Sequence, residues 1–164
     1  MGSVIVTGSS RGIGRATAVR FARDGFDVAV NYHTNESAAR QTARSVREHG
    51  QDVVVVGADV SAMESARRLV DTAADAFGGI DHVVNNAGID QHVYTAELSP
   101  SDFDHVTDVN VNSAFNETKA ALPHLQGSDD DPSVTNISSI LAYTGAPVEC
   151  HYAASKGALI SLTK

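Results

Sequence analysis

A tyrosine and a lysine stand four residues apart near the end of the chain, at Tyr152 and Lys156. On a helix, positions i and i+4 share one face, about 6 Å apart along the axis. A free tyrosine hydroxyl has a pKa of about 10, which is too high for a base at neutral pH. Because a nearby ammonium group stabilises the phenolate, such a pair suits proton transfer to or from a reacting oxygen. The spacing is common by chance, so this hypothesis needs support from other residues.

A glycine-rich segment near the start of the chain suits the binding of a phosphate group. Its three glycines follow an apolar run and open a helical segment, with the spacing Gly-x3-Gly-x-Gly. Without side chains, they let backbone amides and the helix N-terminus approach a pyrophosphate. The position at the opening of a βαβ unit therefore predicts a nucleotide site. The residues that we expect to bind the nucleotide here are Gly8, Ser10, Arg11, Gly12, Ile13 and Gly14.

Together these segments resemble the short-chain dehydrogenase/reductases, from Val4 to Lys164. The resemblance is nearest to 3-oxoacyl-carrier-protein reductases and glucose-type dehydrogenases. It implies hydride transfer between a nicotinamide cofactor and a carbonyl compound or secondary alcohol. Family members run on for several dozen more residues, which add the last strands, a loop on the nicotinamide and a lid over the substrate. Two alternatives therefore stay open: a nucleotide-binding or interaction fragment without turnover, and a piece of a longer active enzyme.

The resemblance assigns catalytic roles to three residues of the last segment. Ser139 lies thirteen residues before Tyr152, the family spacing for the serine that hydrogen-bonds the substrate oxygen. Tyr152 transfers the proton, and Lys156 stabilises its phenolate and binds the cofactor ribose. Ser138, the neighbour of Ser139, is predicted to be structural.

Three further segments match family positions for cofactor binding or catalysis. Asp59 and Val60 follow the third apolar run, where relatives hold the adenine, although an Asp that opens a turn is the competing interpretation. The segment Asn86-Ala87-Gly88 is expected to border the cofactor ribose and to tie neighbouring strands together. Asn110 matches the asparagine that supports a water chain to the lysine, with Asn112 as the alternative candidate.

The end of the second apolar run favours NADP(H) over NAD(H). An NAD-preferring site usually has an acid there, which binds the ribose 2′-OH. This chain instead has Asn31 and His33. The guanidinium of Arg11 suits a 2′-phosphate, and relatives with arginine at this position commonly use NADP(H). We therefore predict NADP(H) as the preferred cofactor, with Asn31 near its adenosine end.

Five apolar runs, which alternate with helical segments, must position these residues. They cover residues 4–6, 26–30, 53–56, 80–84 and 134–137. Near-continuous apolar strands indicate burial on both faces and hence a parallel sheet. We predict one NAD(P)-binding domain over residues 1–164, with a Rossmann-like, doubly wound α/β sheet. The expected strand order is 3-2-1-4-5, without the family's last strands.

Turn and cap residues predict several helix boundaries. Ser61 and Glu64 have the spacing of a capping box. Ser99 would cap a helix whose first residue is Pro100. Glycines stand where helices should end, at Gly25, Gly50 and Gly78.

Composition narrows the classes of partner and location. The net charge of −8, with only three lysines, disfavours nucleic acid and anionic membranes as partners. This acidic, lysine-poor composition resembles that of proteins from high-salt cytoplasm, and the alternative is an ordinary acidic protein. No apolar run approaches the ~20 residues of a membrane span, and the first residues lack a signal-peptide pattern, so we expect a cytoplasmic protein.

Cysteine and histidine usage predicts no metal site and no internal disulfide. Cys150 is the single cysteine, and the seven histidines lack ligand spacing. His92 at most borders the substrate. The expected partners are a small carbonyl or alcohol substrate and, by resemblance, further copies of the chain in a homodimer or homotetramer.

Overall fold

Five parallel strands form one sheet in the computed structural model, which describes residues 2–164. The strands are β1 (Ser3–Val6), β2 (Asp27–Tyr32), β3 (Val53–Gly57), β4 (His82–Asn85) and β5 (Ser133–Asn136). Their order, β3-β2-β1-β4-β5, confirms the predicted topology. In the register of the sheet, Val6 pairs with Val30 on one side and Val84 on the other. The carboxyl ends of β1, β2 and β4 therefore meet at one edge of the sheet.

Helices cover both faces of the sheet. They are α1 (Gly12–Arg23), α2 (Glu36–Arg47), α3 (Met63–Phe77), α4 (Pro100–Thr107), α5 (Ser113–Gly127), α6 (Leu141–Thr144) and α7 (Cys150–Leu162), with a π-helical segment (Asp108–Asn112) between α4 and α5. Within residues 2–164, no helix has the length and apolar character that crossing a membrane requires.

Alternate side chains of β1 build two separate cores. Val4 and Val6 pack with Ala18 of α1 and Val46 of α2 on one face. Ile5 packs on the other face, in a cluster that residues of α3 and α5 complete. Because all four β1 residues are buried, the sequence pattern of a doubly covered strand is confirmed for the centre of the sheet. β5 pairs only with β4, and its residues are alternately exposed and half-buried.

Helix caps agree with the prediction at one site and differ at another. Ser99 Oγ accepts a hydrogen bond from Asp102 N at 3.1 Å, and α4 begins at Pro100, as predicted. The capping box at Ser61 was wrong, because α3 begins at Met63 without a side-chain cap. The Ser61 hydroxyl donates instead to Asp59 Oδ1 at 2.7 Å, which keeps this part of the chain in a turn. The three predicted terminal glycines all have positive φ, at Gly25, Gly50 and Gly78.

Candidate active site

The turn between β1 and α1 requires glycine at the positions that the sequence indicated. Gly8 and Gly12 have φ values of +62° and +58°, in the left-handed region that favours glycine. Gly14 has ordinary helical geometry, but a Cβ atom on it would lie 2.7 Å from Gly8 O and closer still to Asn86 Nδ2. These glycines therefore keep the turn tight and bring α1 against the segment after β4.

The first turn of α1 offers backbone donors to an anion. The helix begins at Gly12, and its first turn contains no acidic side chain. The first N–H groups of a helix have no carbonyl partner within it and lie at the positive end of the helix dipole. These amides fit the pyrophosphate of a dinucleotide.

Side chains behind the turn are hydrogen-bonded to the backbone. Thr7 Oγ1 accepts hydrogen bonds from Asn86 N and Ala87 N, each at 3.0 Å. Asn86 Nδ2 donates to Thr7 O at 2.8 Å. These bonds tie the ends of β1 and β4 together, as predicted for Asn86. The role of Thr7 was not predicted from the sequence. The signal that could have indicated it is a hydroxyl residue between a buried strand and a glycine.

Asn31 is the last buried residue of β2, and its amide organises two neighbouring segments. Its Oδ1 accepts a hydrogen bond from Gly8 N at 3.0 Å, and its Nδ2 donates to Val56 O and Ala58 O at 3.2 and 3.1 Å. The amide is thus engaged by protein groups, and the geometry supports shaping of the turn more than direct contact with an adenosine. β2 continues past Val30 because Asn31 and Tyr32 pair with Val56 and Gly57 of β3.

A cleft of about 670 Å³ opens above the turn. All twelve residues between Gly8 and Gly88 that we predicted to bind the cofactor line this cleft. Asp59 lies at one end of it, where hydrogen bonds from Ser61 lower the pKa of the carboxyl group. Arg11 is exposed in the cleft, and no carboxylate of residues 2–164 lies within ion-pair distance of it. The cleft matches a dinucleotide in size and donors, whereas binding itself stays a prediction.

A second cavity, of about 380 Å³, adjoins the cleft and contains Tyr152 and Lys156. The two cavities share lining residues, among them Arg11, Asn86 and Gly88. Lys156 Nζ lies 5.6 Å from the centroid of the Tyr152 ring, so the predicted pair does share one helix face. Burial lowers the pKa of the Lys156 ammonium group.

The two neighbouring serines after β5 have different partners. Ser138 Oγ donates to Lys156 O at 2.8 Å, which supports the predicted structural role. Ser139 Oγ accepts a hydrogen bond from Leu141 N at 3.2 Å, and a hydroxyl that accepts in this way can still donate its proton. Ser139 does not line the cavity of Tyr152 in this structure, although its neighbour Ser138 does.

Asn110 lies in the π-helical segment and joins three parts of the chain. Its Oδ1 accepts from Ile89 N at 2.8 Å, while its Nδ2 donates to Ile89 O and Ser155 Oγ, both at 2.9 Å. Ser155 Oγ donates in turn to Tyr152 O at 2.7 Å. Asn110 therefore holds the segment after β4 against α7. The part that Ser155 plays in this contact was not predicted from the sequence. The alternative candidate, Asn112, is exposed and bonds Asp108, so the geometry favours Asn110.

Comparisons with known proteins agree with this arrangement. The family model named short chain dehydrogenase matches residues 3–164. The chain is 40% identical over 163 residues to glucose 1-dehydrogenase 2 of Bacillus subtilis, covering 99% of this chain and 63% of that protein. It is 38% identical over 162 residues to 3beta-hydroxysteroid dehydrogenase 1 of Eggerthella lenta, covering 99% and 62%. A crystal structure assigned as a short-chain alcohol dehydrogenase from Sinorhizobium meliloti superposes with a TM-score of 0.94 at 30% identity, covering 99% and 64%.

The chain belongs to the short-chain dehydrogenase family, whose members are NAD(P)-dependent oxidoreductases. The predicted resemblance to this family, and to its glucose-type dehydrogenases, is thereby confirmed. The chain spans just under two thirds of the length of these relatives. One relative is named for glucose and another for a steroid, so family membership leaves the substrate open.

Proposed function

We propose that this protein interconverts a carbonyl compound and a secondary alcohol by hydride transfer with NADP(H). The observation that carries the proposal is the junction of the two cavities. The cleft at the glycine turn suits a dinucleotide, and it opens into the cavity that contains Tyr152 and Lys156. A cofactor whose pyrophosphate lies on α1 would place its reactive end near this pair.

The nucleotide half of the site supports the cofactor part of the proposal. The N–H groups of Gly12, Ile13 and Gly14 would bind the pyrophosphate, and Gly88 would allow the ribose to approach the backbone. The exposed guanidinium of Arg11 would bind a 2′-phosphate, and the absence of an acid among Asn31, Tyr32 and His33 favours the same cofactor. When bound, the nicotinamide supplies or accepts the hydride.

The catalytic residues act on the substrate oxygen. Ser139 and Tyr152 donate hydrogen bonds to the carbonyl oxygen, where negative charge develops during reduction. Tyr152 then transfers its hydroxyl proton to that oxygen. The ammonium of Lys156 stabilises the resulting phenolate electrostatically. In alcohol oxidation the phenolate of Tyr152 accepts the proton from the same oxygen.

Positioning of the pair depends on residues that do not touch the substrate. Lys156 Nζ donates to Ile137 O at 2.8 Å, and Asn110 holds α7 through Ser155. We propose that Asn110 maintains the position of Tyr152 and Lys156 relative to Gly88. The close packing of Gly88 on Asn110 supports this, because a Cβ atom on Gly88 would lie 3.2 Å from Asn110 Oδ1.

A substrate panel tests the proposal directly. Purified full-length protein is assayed for oxidation of NADPH and NADH with ketones, ketoses and ketosteroids, and for the reverse reaction with the matching alcohols. We expect turnover with NADPH on at least one carbonyl class, and Tyr152→Phe should lower kcat by about 10²–10⁴-fold. Tyr94→Phe is the matched control, because Tyr94 is exposed and lines neither cavity.

Cofactor binding is measured on the same preparations, so that loss of chemistry is distinguished from loss of the nucleotide site. NADPH affinity of the Tyr152→Phe variant should stay within about threefold of the wild type. Tight NADPH binding without turnover on any carbonyl or alcohol would favour the alternative, a nucleotide-binding protein. Turnover retained in Tyr152→Phe would refute the assignment of the proton donor.

A further inference from the structure

Three side chains with metal-binding atoms come together at the edge of the catalytic cavity. Asp90 and His92 follow β4, and Glu149 directly precedes α7, so the sequence gives no ligand spacing. The donor atoms of all three lie within 4.8 Å of one another. His92 Nε2 contacts Glu149 Oε1 and lies 3.8 Å from Asp90 Oδ2. One imidazole nitrogen thus lies between two carboxylates.

The backbone holds the two segments together independently of these side chains. Val93 N donates to Val148 O at 2.8 Å. This bond joins the residue after His92 to the residue before Glu149. The three ligand atoms are therefore presented by two segments whose separation is already fixed, which lowers the ordering cost of binding an ion.

Within residues 2–164, no lysine or arginine compensates the negative charge of the cluster. Glu149 is only 8% exposed, and removal of a carboxylate from water is unfavourable unless it is paired. Within residues 2–164, His92 is the only ion-pair partner of Asp90 and Glu149, and no lysine or arginine reaches either of them. A single imidazole compensates at most one of the two negative charges. A divalent cation would compensate both.

The ligand types indicate which cations fit. Two carboxylate oxygens and one imidazole nitrogen suit Mn²⁺ or Zn²⁺, which bind at roughly 2.0–2.2 Å from such atoms. Donors at those distances lie roughly 3–4 Å from one another, so small side-chain rotations bring all three into range. Cys150 is adjacent to Glu149 in the chain, but its sulfur is not part of the cluster.

We propose that Asp90, His92 and Glu149 form a binding site for a divalent cation, in the class of Mn²⁺ and Zn²⁺. Asp90 also lines the cavity of Tyr152 and Lys156, so the site borders the catalytic centre. Three protein ligands leave further coordination positions for water or for an oxygen of the substrate. The ion joins the segment after β4 to the start of α7. The proposal stands independently of hydride transfer, because binding of an ion requires neither cofactor nor turnover.

Titration with Mn²⁺ tests the site. Full-length protein is freed of metal with EDTA, dialysed, and titrated with MnCl₂ while the electron paramagnetic resonance signal of unbound Mn²⁺ is recorded. Mn²⁺ is preferred as the probe because it binds oxygen and imidazole rather than the Cys150 thiol. We expect one tight equivalent per chain, and saturating Mn²⁺ should raise the Tm by about 5 °C.

Three variants decide whether the ion binds here. His92→Ala changes an exposed side chain, so it should fold normally, and it should weaken Mn²⁺ binding by at least about tenfold. Glu149→Gln should have a similar effect. Asp129→Asn, in the exposed acidic turn before β5, is the charge-matched control and should bind Mn²⁺ as the wild type does. Absence of a stoichiometric Mn²⁺ site in the wild type, or equal binding by wild type and His92→Ala, would overturn the proposal.

Discussion

The nucleotide turn (residues 7–14) and the catalytic wall (Ser138, Ser139 and α7) are built in opposite ways. At the turn, polar side chains such as Thr7 and Asn31 bond the protein, and the backbone of α1 faces the cleft. In the wall, the hydroxyls of Ser138 and Ser155 bond the backbone of α7, and the side chains of Tyr152 and Lys156 line the cavity. Substitutions in the turn should therefore disturb geometry and stability, whereas substitutions in the wall should disturb chemistry.

The two regions also differ in how they are enclosed. Within residues 2–164, β1, which precedes the turn, is fully buried between two helical layers, whereas the residues of β5, which leads into the wall, are alternately exposed and half-buried. Ile140 and Tyr143, which follow Ser139, are 70% and 76% exposed. Among the described residues, the core holds the turn, and the hydrogen bonds of Asn110 and Ser138 hold the wall.

Among the substitutions that compare the two regions, the largest effect is expected at the neighbouring serines of the wall. Ser139→Ala should lower kcat by about 10²–10³-fold, because it removes a donor to the developing oxyanion, while the Tm stays nearly unchanged. Ser138→Ala should do the reverse, with a loss of roughly 1 kcal/mol of stability and kcat within about fivefold. Steady-state kinetics and thermal unfolding of both variants check this. Equal effects on kcat would show that chemistry and positioning are not divided between the two serines.

The next largest effect is expected on the stability of the protein when Glu117 of α5 is changed. Glu117 of α5 is fully buried, and its carboxyl oxygens have no hydrogen-bond partner among the described residues. Burial raises the pKa of this carboxyl group to about 8. Between pH 4.5 and 8 the unfolded chain loses this proton while the folded chain keeps it, so stability falls as the pH rises and levels off above 8.

Glu117→Gln removes the titration and keeps the shape of the side chain. The variant should be more stable than the wild type by a few kcal/mol at pH 8, and the difference should vanish near pH 4.5. Urea unfolding at several pH values measures the difference. Glu64→Gln is the control, because this side chain is 85% exposed and should show no such trend. A gain that does not depend on pH would mean that the carboxyl group of Glu117 has the same pKa in the folded and unfolded states.

Two glycines, Gly14 of the turn and Gly157 of α7, allow the two regions to be compared by the same substitution. Gly14→Ala should cost about 2 kcal/mol of stability and weaken cofactor binding, because the added Cβ would lie 2.7 Å from Gly8 O. Gly157, in α7 of the wall, is the matched control, because its nearest contact would be 4.0 Å away. Gly157→Ala should instead stabilise the helix by up to about 1 kcal/mol. If both variants lose stability equally, the turn holds no special constraint.

Local patterns predicted one part of the molecule and missed another for a physical reason. Strand order, the glycine turn and the Tyr152–Lys156 pair follow from periodicity and from spacing over a few residues. The contacts of Thr7 and Ser155 join segments 45 or more residues apart, and no local pattern encodes them. Ser61 was mispredicted because the nearby carboxylate of Asp59 competes for its hydroxyl, a competition that only the folded turn reveals.

The smallest effect is expected at Arg11, the charged side chain of the turn that lines the cleft. Arg11→Ala should weaken NADPH binding by at least about tenfold, because hydrogen bonds to charged groups contribute roughly 1.5–3 kcal/mol, and should change NADH binding by less than threefold. Arg15→Ala is the charge-matched control, since Arg15 lies on α1 outside the cleft. Fluorescence titration with both cofactors measures the four affinities. A preference of the wild type for NADH would contradict the NADP(H) proposal, and an equal loss for both cofactors would place Arg11 at the pyrophosphate. In that case Arg11 would serve the turn as its neighbours do, by supporting the common part of the nucleotide rather than selecting between two cofactors.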